Sequence, residues 1–496
     1  MRFIDKKPLL LPTKSHQEGQ PISRIANLPL TPLNHAYAYS IELQQFLSGK
    51  ELLADELHFP IETLQEHIKN GFISLNHGLV KEDDKFKCNR CSNQDKNLIA
   101  SFRCARCGED CHYCRKCIMM GRVSECTPLF RWVGPETERT TTSKRILAWN
   151  GRLSKGQQQA SEKVVQAIEK GDELLVWAVC GAGKTEVLFN GIEQGLQTNR
   201  KICIATPRTD VVLELAPRLK KVFPTIEIAA LYGGSEEKSN QASLYISTTH
   251  QLLRFKEAFD TMIIDEVDAF PYSYDESLKY AVRKARKPQS SLIYLSATPS
   301  KQWKKEVEQK KRTAVKIPAR FHGHPLPVPS YTWCGDWKKR VNQGALPNIL
   351  LNWINEHLTA KKQAFLFIPS ILVLEKVVGI CKNQDIKIEG VHSEDPDRKD
   401  KVQRFREGKI PILITTTILE RGVTISNCDV GILGAEDDIF TESALVQISG
   451  RVGRDALFPT GRIIYFHYGK TKAMVEAKKH IEKMNEIAKE GAFLTN

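Results

Sequence analysis

Apolar positions are spread unevenly along the 496 residues. From about residue 150, short and nearly continuous apolar runs alternate with segments of helical period. Glu173–Val179, Lys201–Thr206, Ile226–Ala230, Ser243–Ser247, Thr261–Asp265 and Ser291–Ser296 read as strands, with Gln157–Ile168 and Val211–Leu219 as helices. Strands this apolar have no face to offer water, so they predict a parallel sheet covered on both sides. A proline-rich, aperiodic joint covers Ile317–Pro329, after which the alternation restarts. A helix near Leu346–His357 precedes strands at Gln363–Ile368, Ile386–Val391, Ile410–Thr415, Val430–Leu433 and Gly461–Phe466, and a Lys/Glu-rich helix over 471–486 closes the pattern. The expected class is α/β, with one parallel-sheet domain over residues 131–315 and another over 316–496.

The first 130 residues follow neither period. Residues 1–48 carry proline, glutamine and histidine and read as an extended arm; Phe59–Ile61 leads into a small helix that Gly71 stops. The expected segments are an arm with a helix over 1–85 and a separate module over 86–130. Seven of the thirteen cysteines fall between Cys88 and Cys117: C-N-R-C, twelve residues, C-A-R-C-G, then C-H-Y-C-R-K-C. Two C-x-x-C knuckles complete a tetrahedral zinc site. One ligand set is Cys88, Cys91, Cys104 and Cys107; another pairs the first knuckle with Cys114 and Cys117; a second ion would draw on Cys126 or His112. The formal net charge of +14 points to a polyanion as partner, nucleic acid first and an acidic membrane surface second. No apolar run reaches the ~18 residues of a membrane span, and no secretory leader is evident, so a cytoplasmic location is expected, with peripheral attachment allowed.

Chemistry concentrates at a few strand ends. In V-W-A-V-C-G-A-G-K-T-E-V, residues 176–187, an apolar strand enters a Gly-rich turn and a helix begins. The N–H groups of Gly181, Ala182 and Gly183 and the helix start at Lys184, Thr185 and Glu186 suit a nucleotide phosphate. Lys184 would reach the β and γ phosphates and Thr185 would ligate Mg²⁺. Asp265-Glu266-Val267-Asp268 follows another apolar strand: Asp265 is a candidate magnesium ligand and Glu266 a candidate for activating water. Ser296-Ala297-Thr298 ends the next strand. Gln447–Arg454, Q-I-S-G-R-V-G-R, puts Arg451 and Arg454 three apart, and their guanidinium forks suit transition-state charge on phosphate. Thr415–Thr424, with Glu420 and Arg421, and the polar groups at Arg208-Thr209 and Thr248-Thr249-His250 are further candidate contacts to phosphates.

The order of these motifs resembles superfamily 2 helicases and translocases over roughly residues 150–470. It implies two tandem RecA-like domains preceded by a cysteine-rich zinc-binding module, ATP and Mg²⁺ as ligands, and Gln157 as the adenine contact. The module ending Y-C-R-K-C-I-M-M-G-R, placed before the D-E-V-D motor, resembles the late-competence DNA-uptake ATPase family of Gram-positive bacteria. That resemblance implies a motor on single-stranded DNA during natural transformation, at the inner face of the cell membrane. Its partners would be a membrane DNA-import channel and other competence proteins, with self-association as a further option. The family's zinc knuckles correspond to Cys88/Cys91 and Cys114/Cys117. Replication-restart helicases are also similar, but insert their cysteines between motor motifs. The rival functions are therefore a restart or repair helicase, and a nucleotide-gated scaffold that recruits competence proteins.

Overall fold

The computed structural model describes residues 2–6, 9–13, 19–137, 145–235, 242–384, 386–419 and 425–495. Its contacts divide the chain into two compact units. The first comprises Met1–Trp149, Val165–Glu173 and Asn190–Tyr294; the second comprises Asn150–Val164, Leu174–Phe189 and Leu295–Asn496. Two parallel α/β sheets of RecA-like type organise them.

In the first unit, strands Ile228–Leu231, Leu244–Thr248, Ile202–Thr206, Phe259–Ile264 and Arg286–Ser296 lie side by side in that order, all parallel. Their central positions are fully buried, as unbroken apolar runs require. The helix Thr209–Val222 packs with Val212, Leu215 and Leu219 inward, and Pro217 sits inside it. In the second unit, Glu173–Ala178 pairs in parallel with Ala314–Ile317. A separate six-stranded sheet has the order Ser330–Trp333, Ile463–His467, Cys428–Leu433, Gln363–Phe367, Ile412–Thr415 and Glu389–Val391, again all parallel. Trp353, Leu350 and Ile354 from the helix Asn348–Ala360 close one face of it, against Leu366, Ile414 and Phe466.

The joint expected over Ile317–Pro329 is tied down rather than loose. Val179 N–H donates to the Ile317 carbonyl at 3.1 Å and Phe321 N–H to the Gly181 carbonyl at 3.4 Å. Leu326 and Asn485 exchange two hydrogen bonds, of 2.8 and 2.9 Å.

Residues 1–48, expected as an extended arm, fold where they are described. Arg2–Lys6 and Leu9–Thr13 form an antiparallel pair, and Ser40 caps the helix Ile41–Leu47. Phe3, Leu10, Leu43 and Leu47 are buried with Leu64, Ile68, Phe72, Phe130 and Trp132. These apolar residues show no period because each finds its partners far along the chain. Strand Pro128–Trp132 lies between Glu51–Leu53 and Ile73–His77, so the cysteine-bearing stretch is an insertion between two directly paired strands. Among the described residues no helix is long and apolar enough to cross a membrane.

Candidate nucleotide site and cysteine module

The turn after Glu173–Ala178 has the backbone of a phosphate cradle. Gly181 and Gly183 adopt φ of 79° and 71°, which only glycine reaches without strain. Ala182 N–H donates to the Val179 carbonyl at 3.1 Å, closing the turn before Lys184 and Thr185 open the helix Lys184–Gln197. Gln157 is buried and braces the loop from outside. Its Nε2 donates to the carbonyls of Ala182 and Gly183, at 2.9 and 3.3 Å, while Ser154 N–H donates to its Oε1 at 2.8 Å. Helix-start amides, a lysine and a threonine hydroxyl form a donor set that fits a magnesium–nucleotide phosphate group.

The second unit brings other predicted residues to the same loop. Cys180 Sγ donates to Gln447 Oε1 at 3.1 Å. Gly450 comes so close to Cys180 that a Cβ on it would lie 2.4 Å from the cysteine Cβ. Arg454 Nε donates to the Gly450 carbonyl at 2.9 Å. Arg451, only 1% exposed, lies over the Phe365 ring at 5.9 Å. The S-A-T element is held there too: Trp177 Nε1 donates to the Ala297 carbonyl, and the hydroxyls of Thr298 and Ser443 are 2.7 Å apart. Glu442, on the helix that leads to Gln447, accepts from Lys304 at 2.6 Å and lies 3.4 Å from His480. Burial alone would raise its pKa, but hydrogen bonds from His480 and Lys304 bring it down to about 2.

Asp265 and Glu266 belong to the first unit. Glu266 N–H donates to Asp265 Oδ1 at 2.8 Å, and Glu266 itself is held at φ 55°, a strained geometry for a non-glycine residue. Thr206, Thr248 and Thr249 are buried at neighbouring strand ends; Arg208 is bound to Asp210 at 2.7 Å. The expected contacts Glu420 and Arg421, with Gly422, Val423 and Thr424, lie outside the described residues. Arg320 gave no period, spacing or motif by which the sequence would have marked it; it is nevertheless buried beside the loop.

The cysteines sort into two interleaved groups, each of four sulfurs within 4.8 Å of one another: Cys88, Cys91, Cys114 and Cys117, and Cys104, Cys107, Cys111 and Cys126. In the first, Sγ atoms are 3.7 Å apart for Cys88 and Cys117 and 3.6 Å for Cys91 and Cys114. A Zn–S bond of about 2.3 Å sets the edge of a tetrahedron of sulfurs at about 3.8 Å, so this spacing fits zinc. The knuckles of the two groups share one backbone pattern. Ser92 N–H donates to the Cys88 carbonyl and Gly108 N–H to the Cys104 carbonyl, while the amides of Cys88 and Cys104 donate five residues ahead, to Asn93 and Glu109. Ser92 and Gly108 both have positive φ, 60° and 75°. Contacts from Cys117, then Cys88 and Cys91, hold the Cys114 thiol far below its usual range, and Cys126 brings Cys111 down to about 6. The same contacts push the Cys88 and Cys117 thiols, and in the second group the Cys126 thiol, above their usual range, and burial raises Cys107, so each group shares its protons unevenly and holds thiolate on some of its sulfurs. Cys104 and Cys107 do not share a group with Cys88 and Cys91. His112 is in neither group: it bonds Glu125 at 3.0 Å and stacks on Phe86.

Ion pairs fasten the amino-terminal part to the α/β part of the first unit. Glu51, 2% exposed, binds Lys256 and Lys284; burial alone would raise its pKa, but the two lysines outweigh it and hold it below the ordinary value. Glu56 binds Arg90 and Arg254, at 3.1 and 2.5 Å, and Lys116 reaches Asp275 at 2.9 Å.

A glycine-rich phosphate loop on a parallel sheet, followed by a second parallel sheet and the Q-x-x-G-R-x-G-R motif at the end of the helix Glu442–Ser449, defines a helicase-like DNA-dependent ATPase of superfamily 2. Family models match in three consecutive stretches: the Competence protein ComFA N-terminal domain over residues 34–131, the Type III restriction enzyme res subunit over 150–301, and the Helicase conserved C-terminal domain over 345–456. Competence protein ComFA of Bacillus subtilis (strain 168) is 51% identical over 458 residues, which are 92% of this chain and 98% of that protein. Competence protein ComFA of Streptococcus pneumoniae is 37% identical over 410 residues, 82% and 92% of the two chains. The chain belongs to the ComFA competence protein family. Among solved structures, Saccharomyces cerevisiae Dbp5 bound to RNA and ADP BeF3 shares the fold, with a TM-score of 0.50 at 16% identity, over 69% of this chain and 94% of that one.

Proposed function

We propose that the protein is an ATP-driven translocase on single-stranded DNA that powers DNA uptake in natural transformation. The observation that carries this reading is the pairing of a ComFA-specific amino-terminal region with a complete two-sheet ATPase in one chain. Lys184 and Thr185 bind the β and γ phosphates of ATP, with Gly181, Ala182, Gly183 and Glu186 shaping the loop and Gln157 contacting adenine. Thr185 and Asp265 hold Mg²⁺, which supplies charge neutralisation of the phosphates when bound. Glu266 orients and deprotonates the attacking water; Arg451 and Arg454 stabilise charge on the transferred phosphoryl group. Opening and closing of the two RecA-like domains with each turnover shifts their hold on the DNA backbone. Zinc in the group Cys88, Cys91, Cys114 and Cys117 is structural. The excess of basic residues supplies sequence-independent affinity for DNA, and the protein works at the cytoplasmic face of the membrane beside an import channel and other competence proteins.

The deciding experiment measures ATP hydrolysis with and without single-stranded DNA, in the parent protein and in Lys184→Ala and Glu266→Gln. DNA should stimulate the parent and neither variant. Turnover indifferent to DNA would leave a nucleotide-gated scaffold as the better account. Efficient separation of a forked duplex would replace translocase with helicase.

A further inference from the structure

Arg320 is 1% exposed and lies in the stretch that follows Ala314–Ile317. Its Nη1 donates to the Gly453 carbonyl, but Nε and Nη2 have no hydrogen-bond partner. Among the described residues it makes no ion pair. Its surroundings deepen the deficit. Burial first, and then the nearby Arg454 guanidinium, push its pKa down to about 10. A buried cation with donors unmet is costly, and folds tolerate one chiefly where a ligand supplies the missing anion.

The position of the side chain indicates which anion. A Cβ placed on Gly181 would lie 3.7 Å from Arg320 Cγ, Cδ and Nε, so the guanidinium stem runs along the phosphate loop. Its other end holds Gly453, between Arg451 and Arg454, where His322 Nε2 also lies 3.2 Å from the Gly453 carbonyl. One arginine thus spans the loop that cradles phosphate and the turn that carries two further arginines. Its planar fork matches phosphate oxygens geometrically, as a point charge would not.

We propose that Arg320 is a third arginine of the ATP site, which binds the terminal phosphate through Nε and Nη2 while Nη1 fixes the turn bearing Arg451 and Arg454. This rests on the reading of residues 178–185 as an ATP loop. Arg320 would distinguish ATP from ADP, and the same side chain would pass that distinction to Gly453.

The test is calorimetric titration of the full chain with ADP and with a non-hydrolysable ATP analogue, for the parent, Arg320→Met, Arg320→Lys and Lys184→Ala. Arg320→Met should weaken the analogue roughly 10- to 100-fold with ADP affinity within about twofold of the parent, because only the γ-phosphate contact is lost. Arg320→Lys should restore part of the difference. Equal weakening of both nucleotides, or of neither, overturns the assignment and makes Arg320 a structural strut. If Arg320→Met gives no cooperative melt, the analogue-to-ADP ratio of Arg320→Lys decides, and an unchanged ratio refutes the proposal. Lys184→Ala separates the two levels: if it loses nucleotide while the Arg320 variants bind as the parent does, only the arginine assignment fails. If Lys184→Ala binds both nucleotides normally, the ATP-loop reading fails as well.

Discussion

Gly183 leaves no space for a side chain. A Cβ there would stand 2.3 Å from Gln157 Nε2, and its φ of 71° is unfavourable for any other residue. Gly183→Ala should therefore push the glutamine off the loop, lower stability by about 1–3 kcal/mol and weaken nucleotide binding, measured by thermal melting and titration. Glu266 shows strain of the opposite purpose, being held at φ 55° directly after the strand that delivers Asp265. Glu266→Gln should keep ATP binding and lose turnover by on the order of 100-fold or more, a separation that a single-turnover assay reads directly. Glu442 gives a pH signature. Its folded pKa of about 2 lies well below the ordinary carboxylate value of 4.5, so its contribution is present above pH 4.5 and is lost as pH falls from there towards 2. Parent and Glu442→Gln should differ by on the order of 2–3 kcal/mol in urea unfolding at pH 6, by about half that at pH 3, and converge only near pH 2 or below.

At the scale of elements, what could be read in the sequence depended on how local the physics was. The phosphate loop, the acidic strand end and the arginine-bearing turn after Glu442–Ser449 each consist of a buried strand or helix with its turn, so neighbouring residues carry the whole signal. Most strands of both sheets were legible for the same reason, to within about five residues, but Ala314–Ile317 and Ser330–Trp333, short edge strands flanking the proline-rich joint, were not. The amino-terminal region was not, because Phe3, Leu10 and Phe130 become a core only through pairing across the intervening chain. Arg320 was hidden likewise: nothing adjacent to it in sequence is what it touches. The cysteines fall between these cases, since three knuckles announce metal but Cys126 joins Cys104, Cys107 and Cys111 only through the fold. The interleaved groups predict two zinc ions per chain. Cys126→Ser and Cys114→Ser should each remove one and retain the other, as read by metal analysis and native mass spectrometry. A parent chain holding a single zinc would show that the second group is only a cluster of thiols.

For the whole molecule, the net charge of +14 sets an expectation about DNA. Binding to single strands should weaken linearly on a log–log plot against salt, with a slope of about −0.7 for each phosphate neutralised, and should change little with sequence. A flat salt response would turn attention from the backbone to the bases. The insertion of residues 78–127 between paired strands has a consequence in time rather than in energy. Strand Pro128–Trp132 cannot dock between its neighbours until everything before it has been made and its ends drawn together, and that search lengthens with the free chain to be closed. Zinc bound early at the cysteine groups would shorten the search. A cell short of zinc would then make this protein slowly before it made it badly, and refolding in chelator should retard the burial of Trp132 while the α/β sheets, which contain no part of the insertion, assemble at their usual pace.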